Sequence, residues 1–156
     1  MIRLGIISDS HQNRFWTERF LKVARREGYD ALFHLGDGGS DARWLERRLD
    51  IPIYRVAGNC DIWSGVEEEL VAEFEGQRIL AVHGHLFDVK WTLDQLSYHA
   101  EERGAFIALY GHTHVPSACY VGPVLTLNPG ALMDGCYAEL RLDGPRAIPY
   151  LLSLNE

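Results

Sequence analysis

MIRLGIISDSHQNRFWTERFLKVARREGYDALFHLGD, residues 1–37, holds a complete alternation of strand, helix and strand. Residues 2–8 form a short apolar run that reads as a buried strand. From Asn13, a residue type suited to an N-cap, Trp16, Phe20, Val23 and Ala24 recur at helical spacing until Gly28 stops them. Residues 31–35 then read as a second strand, 41–49 as a short helix and 53–57 as a third strand. Alternation of this kind predicts parallel β-α-β units.

Further along, residues 70–74 and 78–82 flank Glu75-Gly76-Gln77 as the arms of a tight hairpin. A helix follows over about 92–103, with Leu93, Leu96 and Ala100 on one face, and 105–110 reads as another buried strand. The tail changes character: 118–121, 124–127, 136–142 and 147–154 are short strands separated by Gly-Pro and Asp-Gly turns. The expectation is an α/β layer joined to an antiparallel sheet, hence an α/β (α+β) sandwich of two sheets with flanking helices.

At 156 residues, 47% hydrophobic and 24% charged, the chain has the balance of one soluble globular domain over 1–156. Its 15 Lys+Arg against 22 Asp+Glu give a formal charge of −7, which disfavours general nucleic-acid coating and anionic membranes. Cys60, Cys119 and Cys136 are odd in number and contain no C-x-x-C, so neither a disulfide framework nor a cysteine zinc site is readable. The first apolar run meets Asp9 at once, unlike a signal peptide, and no run reaches the ~18 apolar residues of a membrane span. A reduced, cytoplasmic setting is the expectation.

What ends each strand carries the chemistry. Ile6-Ile7-Ser8 runs into Asp9-Ser10-His11, Leu32-Phe33-His34-Leu35 into Gly36-Asp37, and Tyr54-Arg55-Val56-Ala57 into Gly58-Asn59-Cys60-Asp61. Ile79-Leu80-Ala81-Val82 runs into His83-Gly84-His85, and Ile107-Ala108-Leu109-Tyr110 into Gly111-His112-Thr113-His114. Ligands of open α/β sheets bind outside the carboxyl ends of the strands, so five such loops should converge on one crevice. In extended backbone, residues i and i+2 point to one side, which would aim Asp9 with His11 and His112 with His114 into the same cavity. Asp and Asn are also ordinary turn residues, but turn chemistry does not explain five coincidences. The donors exceed what one ion uses, which favours a two-metal site for Mn, Fe, Co, Ni or Zn over a structural cysteine zinc. No dinucleotide fingerprint, P-loop, zincin or nucleophile-elbow motif occurs.

In this order, D-x-H, G-D, G-N-C-D, H-G-H and G-H-T-H-V-P resemble the calcineurin-like metallophosphoesterase superfamily, above all its compact prokaryotic phosphodiesterase branch. The resemblance runs from about Asp9 to Asn128-Pro129-Gly130, with Ala131 where serine is usual. It implies a four-layer αββα sandwich of two mixed sheets flanked by helices. It also implies two divalent ions, manganese first, with nickel, cobalt, iron or zinc as alternatives. By motif, Asp9, His11 and His114 would hold one ion, Asn59, His83 and His112 the other, and Asp37 would bridge them. The implied reaction is hydrolysis of a small phosphate ester, a phosphodiester ahead of a monoester, by a metal-bridging hydroxide. Asp37 and Asn59 would take part through that hydroxide and the phosphate, and such a mechanism needs no covalent nucleophile.

Cys60 stands where many members of the superfamily carry a histidine that assists the leaving group. A thiol is a poorer acid at neutral pH, so His85 or a metal-bound water is the alternative proton source. A phosphomonoesterase or nucleotide pyrophosphohydrolase would differ only in pocket contacts. A non-catalytic protein-interaction scaffold of the same fold should have lost motif histidines, and here all are in place. A homo-oligomer is compatible with the sequence.

Other residues have plainer readings. His34 is expected to be a hydrogen-bonded core histidine, His99 a surface residue, and Cys119 and Cys136 small core residues. Residues 41–49 read as a solvated helix face, and Ile62-Trp63-Ser64-Gly65 with Leu86-Phe87-Asp88-Val89-Lys90-Trp91 as a hydrophobic rim for an aryl or nucleoside group, or else as a dimer contact or simple packing.

Overall fold

A computed structural model describes residues 1–61 and 64–155; Ile62 and Trp63, the two apolar residues of the expected rim's first segment, lie outside the described residues. The first β-α-β unit forms as its sequence predicts. β1 (Ile2–Ile7) leads to α1 (Arg14–Glu27), whose N-cap Asn13 accepts from the Trp16 N–H and whose C-cap Gly28 is left-handed at φ 66°. β2 (Ala31–His34), α2 (Gly39–Glu46) and β3 (Ile53–Arg55) follow. β4 (Glu69–Phe74) and β5 (Gln77–Val82) are a hairpin closed by Phe74 opposite Gln77, with Glu75 and Gly76 both at positive φ, as a two-residue primed turn requires. Beyond these come α3 (Asp94–Glu102), β6 (Ile107–Leu109), β7 (Ser117–Val121), β8 (Val124–Asn128), a 3-10 turn (Leu132–Asp134), β9 (Cys136–Asp143) and β10 (Arg146–Ser153).

The strands form two mixed sheets of five, ordered β10-β9-β1-β2-β3 and β4-β5-β6-β8-β7. The four tail strands therefore do not make an antiparallel sheet of their own. β8 joins the second sheet parallel to β6, and β9 joins the first antiparallel to β1. Burial explains the split. β8 is buried at all five positions and β9 at most of its eight, so both must have a strand on each side, whereas the more exposed β7 and β10 take the edges.

Side-chain alternation sorts the core into three slabs and the molecule into four layers. Leu4, Ile6, Phe33, Ile79, Ala81, Ile107, Leu109, Leu125 and Leu127 meet between the sheets. The alternate residues Ile7 and Leu32 turn outward under Phe20, Leu21 and Leu45 of α1 and α2. Leu80, Val82 and Ala108 turn the other way, under Leu96 and Ala100 of α3. The period of two puts an apolar set on each face of β5 and β6, and each wholly buried large apolar side chain contributes about 2 kcal/mol by leaving water. Among the described residues no helix is long and apolar enough to cross a membrane.

Candidate metal centre

The loops that follow β1, β2, β3, β5 and β6 all open at the same end of the sandwich. Their backbones interlock: the Asp9 N–H donates to Gly36 O, the His11 N–H to Asp37 O and the Gly111 N–H to His83 O, all within 2.9 Å. The D-x-H and H-x-H pairs do not converge through extended backbone as expected. Asp9, His11, Asp37, His112 and His114 instead have φ between 46 and 72°. A left-handed non-glycine residue costs about 1 kcal/mol or more, and a surrounding framework must hold it there.

Each candidate carboxylate uses one oxygen to be held and turns the other to the imidazoles. Asp9 is fully buried; its Oδ2 accepts from Ser8 Oγ at 2.6 Å and from the His112 N–H at 3.0 Å. Its Oδ1 lies 3.2 Å from His114 Nε2, 3.6 Å from His11 Nε2 and 3.8 Å from His83 Nε2. Asp37 Oδ1 accepts the Cys60 N–H at 2.8 Å, while Oδ2 stands 3.2 Å from His83 Nε2 and 3.9 Å from His11 Nε2. Glycine is required beside both: a Cβ on Gly58 would sit 2.1 Å from Asp37 Oδ1, and one on Gly111 2.7 Å from Asp9 Oδ2.

Among the described residues, three sets of possible ligand atoms lie within 4.8 Å of one another: Asp9, His11 and His114; Asp9, Asp37 and His83; and His11, Asp37 and Cys60. The ring of His112 packs edge-on against His83 at 5.1 Å, and His85 lies 5.5 Å from the same ring. Asn59 stands at the open edge, with its amide directed at Cys60 Sγ, 3.7 Å away.

His83 tests whether a cation fits. Its Nδ1 is 2.7 Å from Leu35 O, which can only accept, so Nδ1 carries the hydrogen and a neutral ring leaves a bare lone pair on Nε2. That Nε2 is buried without a hydrogen-bond partner. Two lone-pair atoms 3.2 Å apart in a dry site require positive charge between them, either a proton or a metal ion. Burial alone would depress the His83 pKa, but Asp37 and Asp9 more than offset it and raise it. Burial likewise works to raise the Asp37 pKa, and His83 with the Cys60 N–H overcomes it, holding the carboxyl well below its ordinary range. Burial and the neighbouring His83 push both His85 and His112 down, which keeps these rings neutral.

The supporting residues include several to which motif reading assigned no role. Asp61 accepts backbone N–H groups from Asp37, Gly38, Gly39 and Gly58 at 2.6–3.3 Å, joining two ligand loops. Asn128 bonds Gly111 O and Thr113 Oγ1 from behind the H-T-H loop, giving the N-P-G turn its place. Asp41, expected on a solvated face, is fully buried and accepts the Gln12 N–H at 2.9 Å, while Arg43, Glu46, Arg47 and Arg48 are exposed as expected. His34 is a buried histidine on Ser10 Oγ, as expected. His99 is half-buried, paired with Glu69 and packed on Phe87, rather than free at the surface. Cys119 is exposed and Cys136 intermediate, so neither is a core residue; β7 is an edge strand and turns Cys119 outward.

A cavity of about 440 Å³ opens from the centre, lined by His11, Asp37, Gly39, Arg43, Cys60 and Asp61. On the other side His85, His112, Lys90 and the 88% exposed Trp91 line a smaller one of about 190 Å³. A groove of about 810 Å³ between α1 and β10 contains none of the candidate ligands.

Residues 2–140 match the calcineurin-like phosphoesterase superfamily domain. The chain is 35% identical over 129 residues to a Bacillus subtilis protein named Probable metallophosphoesterase YsnB, covering 81% of this chain and 73% of that one. It is 30% identical over 156 residues to the phosphodiesterase YfcE of Escherichia coli, covering 85% and 80% respectively. Among solved structures, a conserved Streptococcus pneumoniae protein described as a predicted phosphoesterase superposes with a TM-score of 0.82 at 34% identity, over 99% of this chain and 90% of that one. By sequence and by fold, the chain belongs to the calcineurin-like phosphoesterase superfamily, a family of hydrolases acting on phosphate esters.

Proposed function

We propose that this chain, as one domain over 1–156, is a dinuclear metal-dependent phosphodiesterase. The observation that carries the reading is the buried, unpartnered Nε2 of His83 facing Asp37 Oδ2, with the imidazoles of His11 and His114 turned to Asp9 Oδ1 alongside. Asp9, His11 and His114 would hold one ion, Asn59, His83 and His112 the other, and Asp37 would lie between them. Two divalent ions, when bound, polarise the phosphoryl oxygens and make water a nucleophile at neutral pH.

The chain's own groups set the geometry. Backbone N–H groups and Ser8 fix the carboxylates before substrate arrives, so little reorganisation remains for the reaction. Leu35 O sets the His83 tautomer. Arg43, in the same cavity as His11 and Asp37, can hold a substrate phosphate oxygen by a charge-assisted hydrogen bond. Burial, and then Asp37, push the Cys60 thiol above its ordinary pKa, so it is a weak proton donor to a leaving group. That favours diesters whose alcohol leaves without help, such as aryl esters. His85, neutral and with a buried, unpartnered Nδ1, borders the opposite cavity, where Trp91 can pack on an aryl or nucleoside group. Three free cysteines support a reducing, cytoplasmic setting.

The test is hydrolysis of a bis-aryl phosphate beside an aryl monophosphate, with Mn, Co, Ni or Zn added in turn and Asp37→Ala as control. The expected result is a metal-dependent diester rate above the monoester rate, falling about 100-fold or more in the variant, the scale of losing one electrostatic contact to the transition state. A wild-type rate no greater than that of Asp37→Ala with every ion would overturn the reading.

A further inference from the structure

We propose that arginines of α1 and α2 form a track for a single-stranded oligonucleotide and lead its phosphodiester backbone to the metal centre. The inference rests on the phosphodiesterase reading above and deepens it by naming the class of substrate. The formal charge of −7 disfavours coating of the whole surface, but it is unevenly spread. Residues 14–27 and 39–48 together hold eight Lys and Arg against four Asp and Glu, a local charge of +4. An acidic chain has carboxylates enough to pair its cations, and elsewhere it does so: Arg3 faces Glu27 and Glu139, Arg55 faces Glu46, Arg103 faces Glu69, and Arg141 faces Glu139. Among the described residues, the exposed Arg14, Arg25, Arg43, Arg47 and Arg48 form no ion pair. Three of the four acids of this stretch are engaged otherwise, Glu27 on Arg3, Glu46 on Arg55 and the buried Asp41 on the Gln12 N–H, which leaves Glu18. Like charges one helical turn apart repel, and an anion laid across them relieves that cost.

The five arginines run outward from the centre. Arg43 borders the 440 Å³ cavity together with His11 and Asp37. Arg47 follows one turn later, its N–H donating to Arg43 O at 3.3 Å, which keeps the two on one side of the helix. Arg14 opens α1 three residues beyond His11, with its Cζ 4.5 Å from the centre of the Trp44 ring, and Arg48 stacks on the same ring at 3.9 Å. Arg25 donates to Arg48 O at 3.2 Å and closes the row. A guanidinium stacked on an indole stays charged and keeps its in-plane N–H donors, the geometry that suits phosphate oxygens. Such a row reads a backbone and not a base, so it serves a polymer of any sequence. The cavity beside the buried carboxylates admits one strand rather than a duplex, and on the far side of the centre Trp91 offers a face to a terminal nucleoside.

The experiment follows the fluorescence anisotropy of a labelled oligothymidylate, about eight nucleotides long, with chelated protein over a range of salt concentrations. Without ions the strand is bound and not cut, so this measurement is independent of the metal centre. The logarithm of the binding constant is expected to fall against the logarithm of salt with a slope of about −2 to −3, the release of counterions from three or four phosphates. Arg14→Gln combined with Arg47→Gln should weaken binding about tenfold or more and make the slope shallower by about 1.4. Arg146→Gln is the control, since Arg146 opens β10 at the end of the sheet where β1 begins, away from the centre. With Mn²⁺ added, the double variant should lower kcat/KM on the oligonucleotide relative to that on bis-aryl phosphate by about tenfold, through KM. Absence of binding, an equal loss in Arg146→Gln, equal competition by polyglutamate, or a substrate ratio that the double variant leaves alone would each overturn the track and leave the metal centre standing. Binding at the track by a protein that hydrolyses neither substrate with any ion would instead overturn the phosphodiesterase reading, and with it the track's role as an entry to the centre.

Discussion

Asp61 shows how one side chain can carry a loop. Its carboxylate accepts four backbone N–H groups, three from the Asp37 loop and one from Gly58. In Asp61→Asn one acceptor oxygen becomes an NH₂ donor facing N–H groups, leaving at least one of them unsatisfied. The expected cost is about 2 kcal/mol in urea unfolding, with Mn²⁺ affinity by calorimetry weakened about 10- to 100-fold. Stability loss with unchanged affinity would mean that Asp61 supports the fold and not the ligands. Asp41 makes the same point for the D-x-H loop, holding Gln12 at φ 63° next to His11. The candidate donor types and their order were legible in the sequence, because each sits in a loop at the end of an apolar run. Asp61 lies in such a loop too, but nothing in the sequence marked its bonds to backbone N–H groups, nor those of Asp41. A side chain bonded to backbone leaves no periodicity, and Asp41 shares its stretch with the exposed Arg43, Glu46, Arg47 and Arg48.

Individual elements were predictable where the signal is local. Asn13 and Gly28 bracket α1, and Glu75-Gly76 makes its hairpin, because capping and turn geometry act over a few residues. Where β8 and β9 would pair was not, since pairing depends on which partner buries the other side of a strand. The β1–β9 pairing has its own ionic fastening: Arg3 bonds Glu139 at 2.9 and 3.1 Å, and Glu27 at the end of α1 at 2.8 Å, while Arg141 also bonds Glu139. Glu139 is buried; burial works to raise its pKa, and the two guanidinium groups more than offset it and lower it. A carboxyl with a depressed folded-state pKa stabilises the fold above its ordinary value of 4.5, and that contribution is lost as pH falls through the folded value. Glu139→Gln should therefore flatten the decline in stability below pH 4.5, measured by urea midpoints across acid pH. Parallel acid limbs for the two proteins would show that the pair contributes no linkage. Arg3→Met, at neutral pH, should cost about 2 kcal/mol.

The centre sits on the seam between the two sheets. Asp9 and Asp37 come from the first sheet, His83, His112 and His114 from the second, and the His83–Leu35 hydrogen bond already crosses between them. An ion held by both sets is thus a clamp on the whole sandwich, and it binds only where the sheets are packed. Its effect on stability follows from mass action: at a free concentration 100 times Kd, a ligand of the folded state adds about 2.7 kcal/mol. For a chain of this length 1 kcal/mol moves the melting temperature by about 2–4 °C, so the expected rise is about 5–10 °C. With ions bound, a molecule whose formal charge is −7 would also gather positive charge at this centre, where a phosphate could dock. Calorimetric melting after chelation, and again with excess Mn²⁺ or Zn²⁺, measures the rise directly. Asp37→Ala should melt at nearly the same temperature in both conditions, because the residue placed between the two donor groups is gone. If the wild-type melting point is also indifferent to every divalent ion tried, the two sheets are not joined through this site, and the imidazoles facing Asp9 and Asp37 are held by protons instead.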